Sequence, residues 1–206
     1  MASTYTALGV ELMATGENAG TWGTKTNTNL NIVEQIAGGF TTQAVGDSGT
    51  PTALTVSDGS TGATLSHRVI ELTGSISGAR VVTIPLDVQT FYIIKNSTSG
   101  AYTVQFKYAS GSGDTVTWSA TDKGTKIIYA TANDGTNPDI VDVMATSSEI
   151  SLANNNPIKF NDADNSAFVG IDAPATVSGS YTLTLPAAVG SASQALVTTD
   201  GAGTLG

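Results

Sequence analysis

The most constraining feature of this sequence is an alternation of apolar and polar residues that recurs in short runs from position 41 to 144. Its clearest run has apolar side chains at every second position: Tyr102, Val104, Phe106 and Tyr108. Because successive side chains of a strand point to opposite faces, such a run predicts a strand with one buried and one solvent-facing side. Similar runs cover residues 53–56, 68–72, 81–84, 91–94, 115–118, 126–129 and 140–144.

Turn-forming residues separate these runs, among them Asp58-Gly59, Gly111 to Gly113, and Asn133 to Gly135. Short strands about 8 to 15 residues apart, with no helical pattern between them, are typical of an antiparallel β-sandwich or jelly roll. The sequence therefore predicts an all-β fold, with an antiparallel, jelly-roll-like sandwich over residues 41–146.

A helix is expected before the strands, in an N-terminal anchor segment that spans residues 1–40. Apolar or partly apolar residues follow one another there at intervals of four, four, three and four: Trp22, Thr26, Leu30, Val33 and Ala37. These intervals place them on one face of a short amphipathic helix. Gly38 and Gly39 predict its end, since glycine tolerates the left-handed conformation that often closes a helix.

Two interpretations of this helix remain open. Asn27, Asn29 and several threonines are poor helix formers, so the helix needs packing to be stable. If the helix contacts other copies or a larger particle, Trp22, Leu30 and Val33 are the candidate interface residues. The alternative is that they are ordinary core contacts of one subunit, with the helix capping its own domain.

The pattern changes again at the third predicted region, residues 147–206. Its β-like segments contain few large apolar residues: 158–160, 167–171, 181–185 and 195–198. A region of about 60 residues buries a low fraction of its surface, and this one has few large apolar side chains, so we do not expect it to form an independent core. We expect a β-rich, fibre-like shaft or linker that partner chains stabilise, and the turn at 201–206 predicts that the native polypeptide continues.

Charge and composition narrow the possible partners. The chain has 17 acidic and 8 basic residues, a net charge of −9, which argues against nucleic acid because phosphate contacts need clustered lysine and arginine. Charged residues are only 12% of the chain, about half of the usual share, so we expect sister copies to cover part of the neutral surface. Apolar runs fall short of the roughly 18 residues of a membrane span, so membrane insertion is not expected.

Candidate catalytic residues are sparse. His67 is the single histidine, and no serine lies in a nucleophile motif, so no hydrolytic triad is predicted. The lack of cysteine also excludes ordinary zinc sites. Asp162 to Ser166 lacks the glycine and glutamate of a calcium loop, and nothing marks Asp139 and Asp142 as a glycosidase pair. We therefore expect no enzymatic activity, no metal and no cofactor.

Several segments resemble parts of the tail fibres and related virion structural proteins of tailed bacteriophages, especially phages of marine and cyanobacterial hosts. The segments are 16–30, 69–74, 92–104, 134–137, 141–142, 181–186, 194–196 and 199–201. The first is similar to a Trp-Gly-x-x-x-Asn-x-Asn-Leu helix near the start of many such fibres. The last three resemble a shaft unit that recurs in long fibres.

This resemblance implies a homotrimer whose N-terminal part attaches to the phage tail through another tail protein, such as an adaptor or nozzle. A distal part would recognise the host, for example through a surface glycan. The resemblance also implies synthesis in the host cytoplasm and a final place in the virion. Thr26 stands where leucine or phenylalanine is usual in the family, and no receptor-binding tip is recognisable, so no receptor is implied.

Two other functions remain open. A carbohydrate-binding module or adhesin would expose aromatic residues such as Tyr102, Tyr108 or Trp118, although their alternation with polar neighbours favours burial. A capsid decoration protein is the other open function, because the sequence does not show where on a particle the chain sits. The function expected from the sequence is thus that of a non-catalytic virion component.

Overall fold

The computed structural model describes residues 2–121, 123–147, 152, 157–171, 173, 176–180 and 182. The chain forms two compact units, Met1–Ser148 and Glu149–Gly206. The first unit includes both the N-terminal segment and the alternating β region of the sequence. The expected segment 195–198 and all but one residue of 181–185 lie outside the described residues.

The described residues of the first unit contain one α-helix, α1 (Trp22–Gly38), and a 3-10 turn at Thr64–Ser66. The strands are β1 (Thr4–Tyr5), β2 (Glu11–Leu12), β3 (Phe40–Ala44), β4 (Thr52–Ala53), β5 (Val69–Thr73), β6 (Arg80–Ile84), β7 (Thr90–Asn96), β8 (Val104–Tyr108), β9 (Val116–Trp118), β10 (Thr125–Ala130) and β11 (Ile140–Asp142). The predicted runs overlap strands β4 to β11, so the largely β character is confirmed. No run predicts β3.

Two sheets make up the body of this unit. One has five strands in the order β11-β10-β7-β5-β3, and the other has four in the order β4-β6-β8-β9. From β3 to β8 the chain alternates between them, placing odd-numbered strands in the first sheet and even-numbered strands in the second. Each strand therefore pairs with the strand two further along the chain.

The prediction of an antiparallel sandwich is wrong for this part of the chain. The pairs β3/β5, β5/β7, β4/β6 and β6/β8 are all parallel. Parallel strands need a connection that crosses from the end of one strand to the beginning of the next. Here the intervening strand in the facing sheet is that connection. The chain therefore runs in the same direction each time it returns to a sheet. Within these two sheets, the antiparallel pairs are β8/β9, β7/β10 and β10/β11.

The core lies between the two sheets and contains four large aromatic side chains: Tyr92, Phe106, Tyr108 and Trp118. Their polar atoms all have partners, as buried polar groups require. The Tyr92 hydroxyl donates to the Leu65 carbonyl at 3.0 Å, and the Trp118 indole N–H donates to the Gly124 carbonyl at 2.8 Å. Burial raises the pKa of Tyr92, so this hydroxyl stays protonated and donating.

Polar contacts join α1 to the N-terminal hairpin formed by β1 and β2. The Asn29 side chain accepts from the Glu11 backbone N–H at 2.9 Å and donates to the Glu11 carbonyl at 2.8 Å, as a neighbouring strand would. Lys25 Nζ lies 3.0 Å from Glu11 Oε2, and its hydrogen bond holds the pKa of Glu11 below its ordinary value. Among the apolar residues of α1, Ile32 is the one that is fully buried. The helix thus gains the packing that its weak propensity requires.

The end of α1 differs from the expected left-handed cap. Gly39 has φ −65° and ψ 146°, an extended conformation that any residue adopts. Glycine is needed there for space, because a Cβ atom would lie 2.8 Å from Gln35 Cα and 2.9 Å from His67 Cδ2. Within the described residues, no helix is both long and apolar enough to cross a membrane.

A polar clamp joins the loop after β3 to the start of β6. Asp47 accepts hydrogen bonds from the Ser77 backbone N–H and the Ser77 hydroxyl, each at 2.7 Å. Arg80 completes the clamp, with Nε donating to Asp47 Oδ1 at 3.0 Å and Nη2 to the Asp47 carbonyl at 2.8 Å. The Ser77 hydrogen bonds, followed by the Arg80 guanidinium, lower the pKa of Asp47 to about 2.

This clamp gives an acid-dependent contribution to stability that Asp47→Asn is expected to remove. Because the folded pKa lies below the ordinary value near 4, the contribution is present above about pH 4 and disappears as the pH falls towards 2. Urea unfolding of both proteins across this range should therefore show a difference in unfolding free energy that shrinks with acidification. Asp87→Asn, on an exposed turn, is the control; an equal pH-dependent loss in that variant would contradict the assignment.

The described part of the second unit contains one antiparallel hairpin, β12 (Ile158–Asn161) with β13 (Phe168–Ile171). Asp162 orders the connecting turn by accepting from the Ala167 backbone N–H at 3.2 Å and from the Ser166 hydroxyl at 3.1 Å. The turn over 162–166 is thus a hydrogen-bonded loop.

Candidate interface on the N-terminal helix

The three candidate residues of α1 lie on the surface of the protein. Trp22 is 66% exposed, Leu30 60% and Val33 49%. Core contacts within one subunit would be covered, so the structure disagrees with that alternative. Their role at an interface stays a prediction that the geometry permits.

Helical geometry places these three side chains together. At about 100° per residue, Trp22, Leu30 and Val33 fall within about 80° of one another around the axis, along roughly 16 Å of helix. Ile32 projects from another side and anchors the helix inward. A surface helix whose large apolar residues face outward has the form expected of a docking element.

The apolar spacing alone identifies one face of the helix, but it does not show whether that face points to the core or to solvent. Ile32 and Ile36 form a second apolar side that is more buried than the first. At about 100° per residue, Asn29 lies between the two sides, about 20° from both Trp22 and Ile36. Its hydrogen bonds to the backbone of β2 show which way this part of the helix faces. An asparagine binding a strand from a helix has no pattern visible in sequence, so this choice depends on tertiary contacts.

A groove adjoins the C-terminal end of α1, lined by residues that include Asn31, Glu34, Phe40 and His67. His67 is 9% exposed, and its Nδ1 lies 2.9 Å from the Ala63 carbonyl oxygen, to which it donates. This bond fixes the ring as a local structural element at the end of the 3-10 turn. Phe40 is largely exposed at the edge of the groove.

The acidic residues singled out from the sequence take part in structural hydrogen bonds. Asp142 pairs with Lys126 at 2.7 Å, and Asp139 accepts from the Asp114 backbone N–H at 2.8 Å. Burial would raise the pKa of Asp142, but the Lys126 ammonium and neighbouring backbone N–H groups together hold it below its ordinary value. Within the described ranges, no group of three or more metal-ligating side chains could hold an ion.

The candidate glycan-binding aromatics are mostly buried. Tyr108 and Trp118 are core residues, and the Tyr108 hydroxyl donates to the Val88 carbonyl and accepts from the Ala132 N–H, each at 2.8 Å. Tyr102, at the beginning of the same alternating run, is 41% exposed. Of the three aromatics, Tyr102 is the one that a sugar could stack against.

The hairpin of the second unit carries a further exposed apolar surface. Directly opposed residues of an antiparallel pair share a face, so Ile158 with Ile171 and Phe160 with Val169 line one side of the ribbon. All four side chains are exposed. An isolated two-stranded hairpin is marginally stable in water, so contacts on this apolar side would add to its stability.

Comparisons with known proteins leave this chain without an assigned family. No protein-family model, curated protein or solved structure matches it.

Proposed function

We propose that this chain is a structural, non-catalytic virion component, the N-terminal tail-attachment part of a phage tail fibre that assembles as a homotrimer. The observation that carries the proposal is the outward-facing apolar side of α1, at Trp22, Leu30 and Val33, on a β unit whose own core is complete. In a free monomer these apolar side chains stay exposed to water, whereas attachment to another protein would bury them.

The geometry supports a mechanical role. Asn29 holds the helix to the N-terminal hairpin, and the Gln35 carbonyl accepts from the Arg68 backbone N–H at 3.2 Å, directly before β5. Force on a docked helix would therefore reach the five-stranded sheet through this hydrogen bond. Covering each exposed apolar side chain of the helix contributes about 1.5–3 kcal/mol at full burial. The apolar hairpin of the second unit supplies another surface that sister chains would cover.

Trp22→Ala is expected to reduce incorporation of the chain into particles at least tenfold without changing its unfolding free energy. Trp22 is largely exposed, so its loss removes docking contacts and leaves the core intact. Immunogold electron microscopy and quantitative immunoblots of purified particles measure incorporation. Asn27→Ala, an exposed substitution on the same helix, is the matched control.

Two results would contradict this proposal. One is the absence of the wild-type chain from the tails of purified particles. The other is equal incorporation of Trp22→Ala and Asn27→Ala, which would remove the helix from the attachment surface. Labelling on the head instead of the tail would favour the capsid decoration protein.

Exposed Tyr102 favours one alternative function, a carbohydrate-binding module or adhesin. Sugar-binding proteins stack aromatic side chains on saccharide rings, and a single exposed tyrosine is the minimum for such a site. In that case the isolated chain should bind defined glycans saturably on an array, and Tyr102→Ala should abolish the signal. Binding that survives this substitution would rule Tyr102 out as the site.

A further inference from the structure

The outer side of the five-stranded sheet is apolar as well as the inner side. Ile70, Ile94 and Ile128 point into the core, so their chain neighbours point outward. The register aligns those neighbours in a row across four strands: Phe40, Val69, Ile93 and Ile127. The Val143 backbone N–H donates to the Ile127 carbonyl at 2.9 Å, which extends the row beyond β11.

A second row lies beside the first. It contains Phe91, Tyr129 and Val141, which are paired across β7, β10 and β11. Phe40 is 59% exposed, Phe91 46% and Tyr129 38%. The two rows form one contiguous surface, which we call the outer apolar face.

The facing sheet lacks such a surface. Its outward row consists of Val81, Gln105 and Thr117, and Lys107 lies beside them on β8. Both sheets cover the same core with their inner sides, so solvent exposure alone would make both outer sides polar. The difference indicates that the five-stranded sheet has a partner on its outer side.

The size of the outer apolar face matches a stable interface. With ordinary side-chain areas, its eight apolar residues expose on the order of 500 Å². A standard interface buries about 800 Å² per partner, of which roughly 60% is apolar, so the apolar part needed is also on the order of 500 Å². A pleated sheet packs on another sheet at about 10 Å, so a second face of the same kind would fit it.

Charge favours another copy of this chain as the partner. Although the chain has a net charge of −9, the charged residues at outward strand positions of this sheet are Glu71 and Lys95, which pair at 2.8 Å. The Arg68 guanidinium lies 3.9 Å from the Phe91 ring centroid and adds one positive charge. Two such faces, each with one net positive charge at Arg68, meet with less repulsion than two strongly acidic surfaces would.

We propose that the outer apolar face, Phe40, Val69, Ile93, Ile127, Phe91, Tyr129, Val141 and Val143, packs against the same face of other copies of this chain. The proposal rests on the self-association part of the proposed function and names the surface responsible. Two such faces related by a two-fold axis would pack directly on each other, and three of them around a three-fold axis would line one shared apolar core, so the face can serve a dimer or the proposed homotrimer. The attachment helix is a separate surface, so each can fail without the other.

Ile127→Glu tests the outer apolar face. Light scattering after size-exclusion chromatography at micromolar concentration should show a dimer or trimer for the wild type and a monomer for the variant, with self-association weakened at least about 100-fold. Thr117→Glu, on the outer side of the other sheet, is the matched control and should remain oligomeric. A monomeric wild type, or an unchanged oligomer in Ile127→Glu, would overturn the proposal.

A labelling experiment covers the case in which Ile127→Glu does not fold. The chain has no cysteine, so Tyr129→Cys and Thr117→Cys each introduce a single thiol, on opposite outer sides. Maleimide should modify position 117 at least tenfold faster than position 129 at micromolar concentration, and dilution to monomer should remove the difference. Equal rates would overturn the proposal, because nothing would then cover the face. Protection of position 129 that persists in the monomer would also overturn it, because another segment of the same chain would then cover the face.

These measurements separate the two proposals. Self-association through the sheet with no incorporation into particles would leave the surface assignment intact and defeat the virion function. Incorporation that depends on Trp22, together with an Ile127→Glu variant that still self-associates, would leave the virion function intact and defeat the surface assignment.

Discussion

Phe106→Ala is expected to lower the free energy of unfolding of the first unit by about 3–5 kcal/mol. Phe106 is fully buried at the centre of β8, paired with Val82 on one side and Val116 on the other. Removing its ring leaves a cavity between neighbours that are held by hydrogen bonds on both sides, so the core cannot collapse around it. Urea unfolding followed by far-ultraviolet circular dichroism measures the change.

Phe106→Leu and Thr117→Ala are the controls for this substitution. Leucine retains much of the volume and should cost less than about 1.5 kcal/mol. Thr117 is exposed on the neighbouring strand, so its truncation should change stability by about 0.5 kcal/mol or less. A loss from Phe106→Ala no larger than that from Thr117→Ala would show that the two sheets do not share the described core.

Gly111→Ala is expected to destabilise the first unit by more than about 3 kcal/mol, through two additive causes. Its φ of +89° lies in the left-handed region that disfavours any residue with a Cβ atom. The added Cβ would also overlap the carbonyl oxygen of Thr136 and approach Asn137 Cα to 3.1 Å. Both are backbone atoms, so neither can move aside cheaply.

Gly62 provides a matched control for this glycine. Its φ of +90° is almost the same, but a Cβ there would meet nothing within 4 Å. Gly62→Ala should therefore cost only the conformational part, about 1–2 kcal/mol. Equal losses in the two variants, measured by urea unfolding, would show that the loop containing Thr136 does not press against Gly111.

Much of the strand content could be predicted because alternation is a local property. Tyr102 to Tyr108 shows this well: its apolar positions lead to Phe106 and Tyr108 in the core, although Tyr102 lies before β8 and is exposed. β3 was missed because Phe40–Ala44 contains one large apolar residue, and its pairing partner β5 is distant in sequence. Parallel pairing was missed for the same reason, since spacing between strands does not reveal whether a connection turns back or crosses to a facing sheet.

The sequence contains an indication of the outer apolar face, in two stretches that do not alternate strictly. The stretches 91–94 and 127–129 are apolar at consecutive positions rather than at every second one. Consecutive apolar residues are typical of strands covered on both sides. Alternation predicts half-buried strands there, and only the register of β7 and β10 shows that their outward residues join into one surface.

The sequence by itself determined strands β4 to β11 of the first unit, the helix with its apolar spacing, and the deficit of charge. Those features depend on side-chain periodicity and composition, which are properties of neighbouring residues. Tertiary structure alone decided that the strands pair in parallel between β3 and β8, that Trp22, Leu30 and Val33 face outward, and that one sheet is apolar on both sides. Each of these features depends on contacts between segments that are far apart along the chain. Such contacts do not produce a periodic pattern in the sequence of either segment.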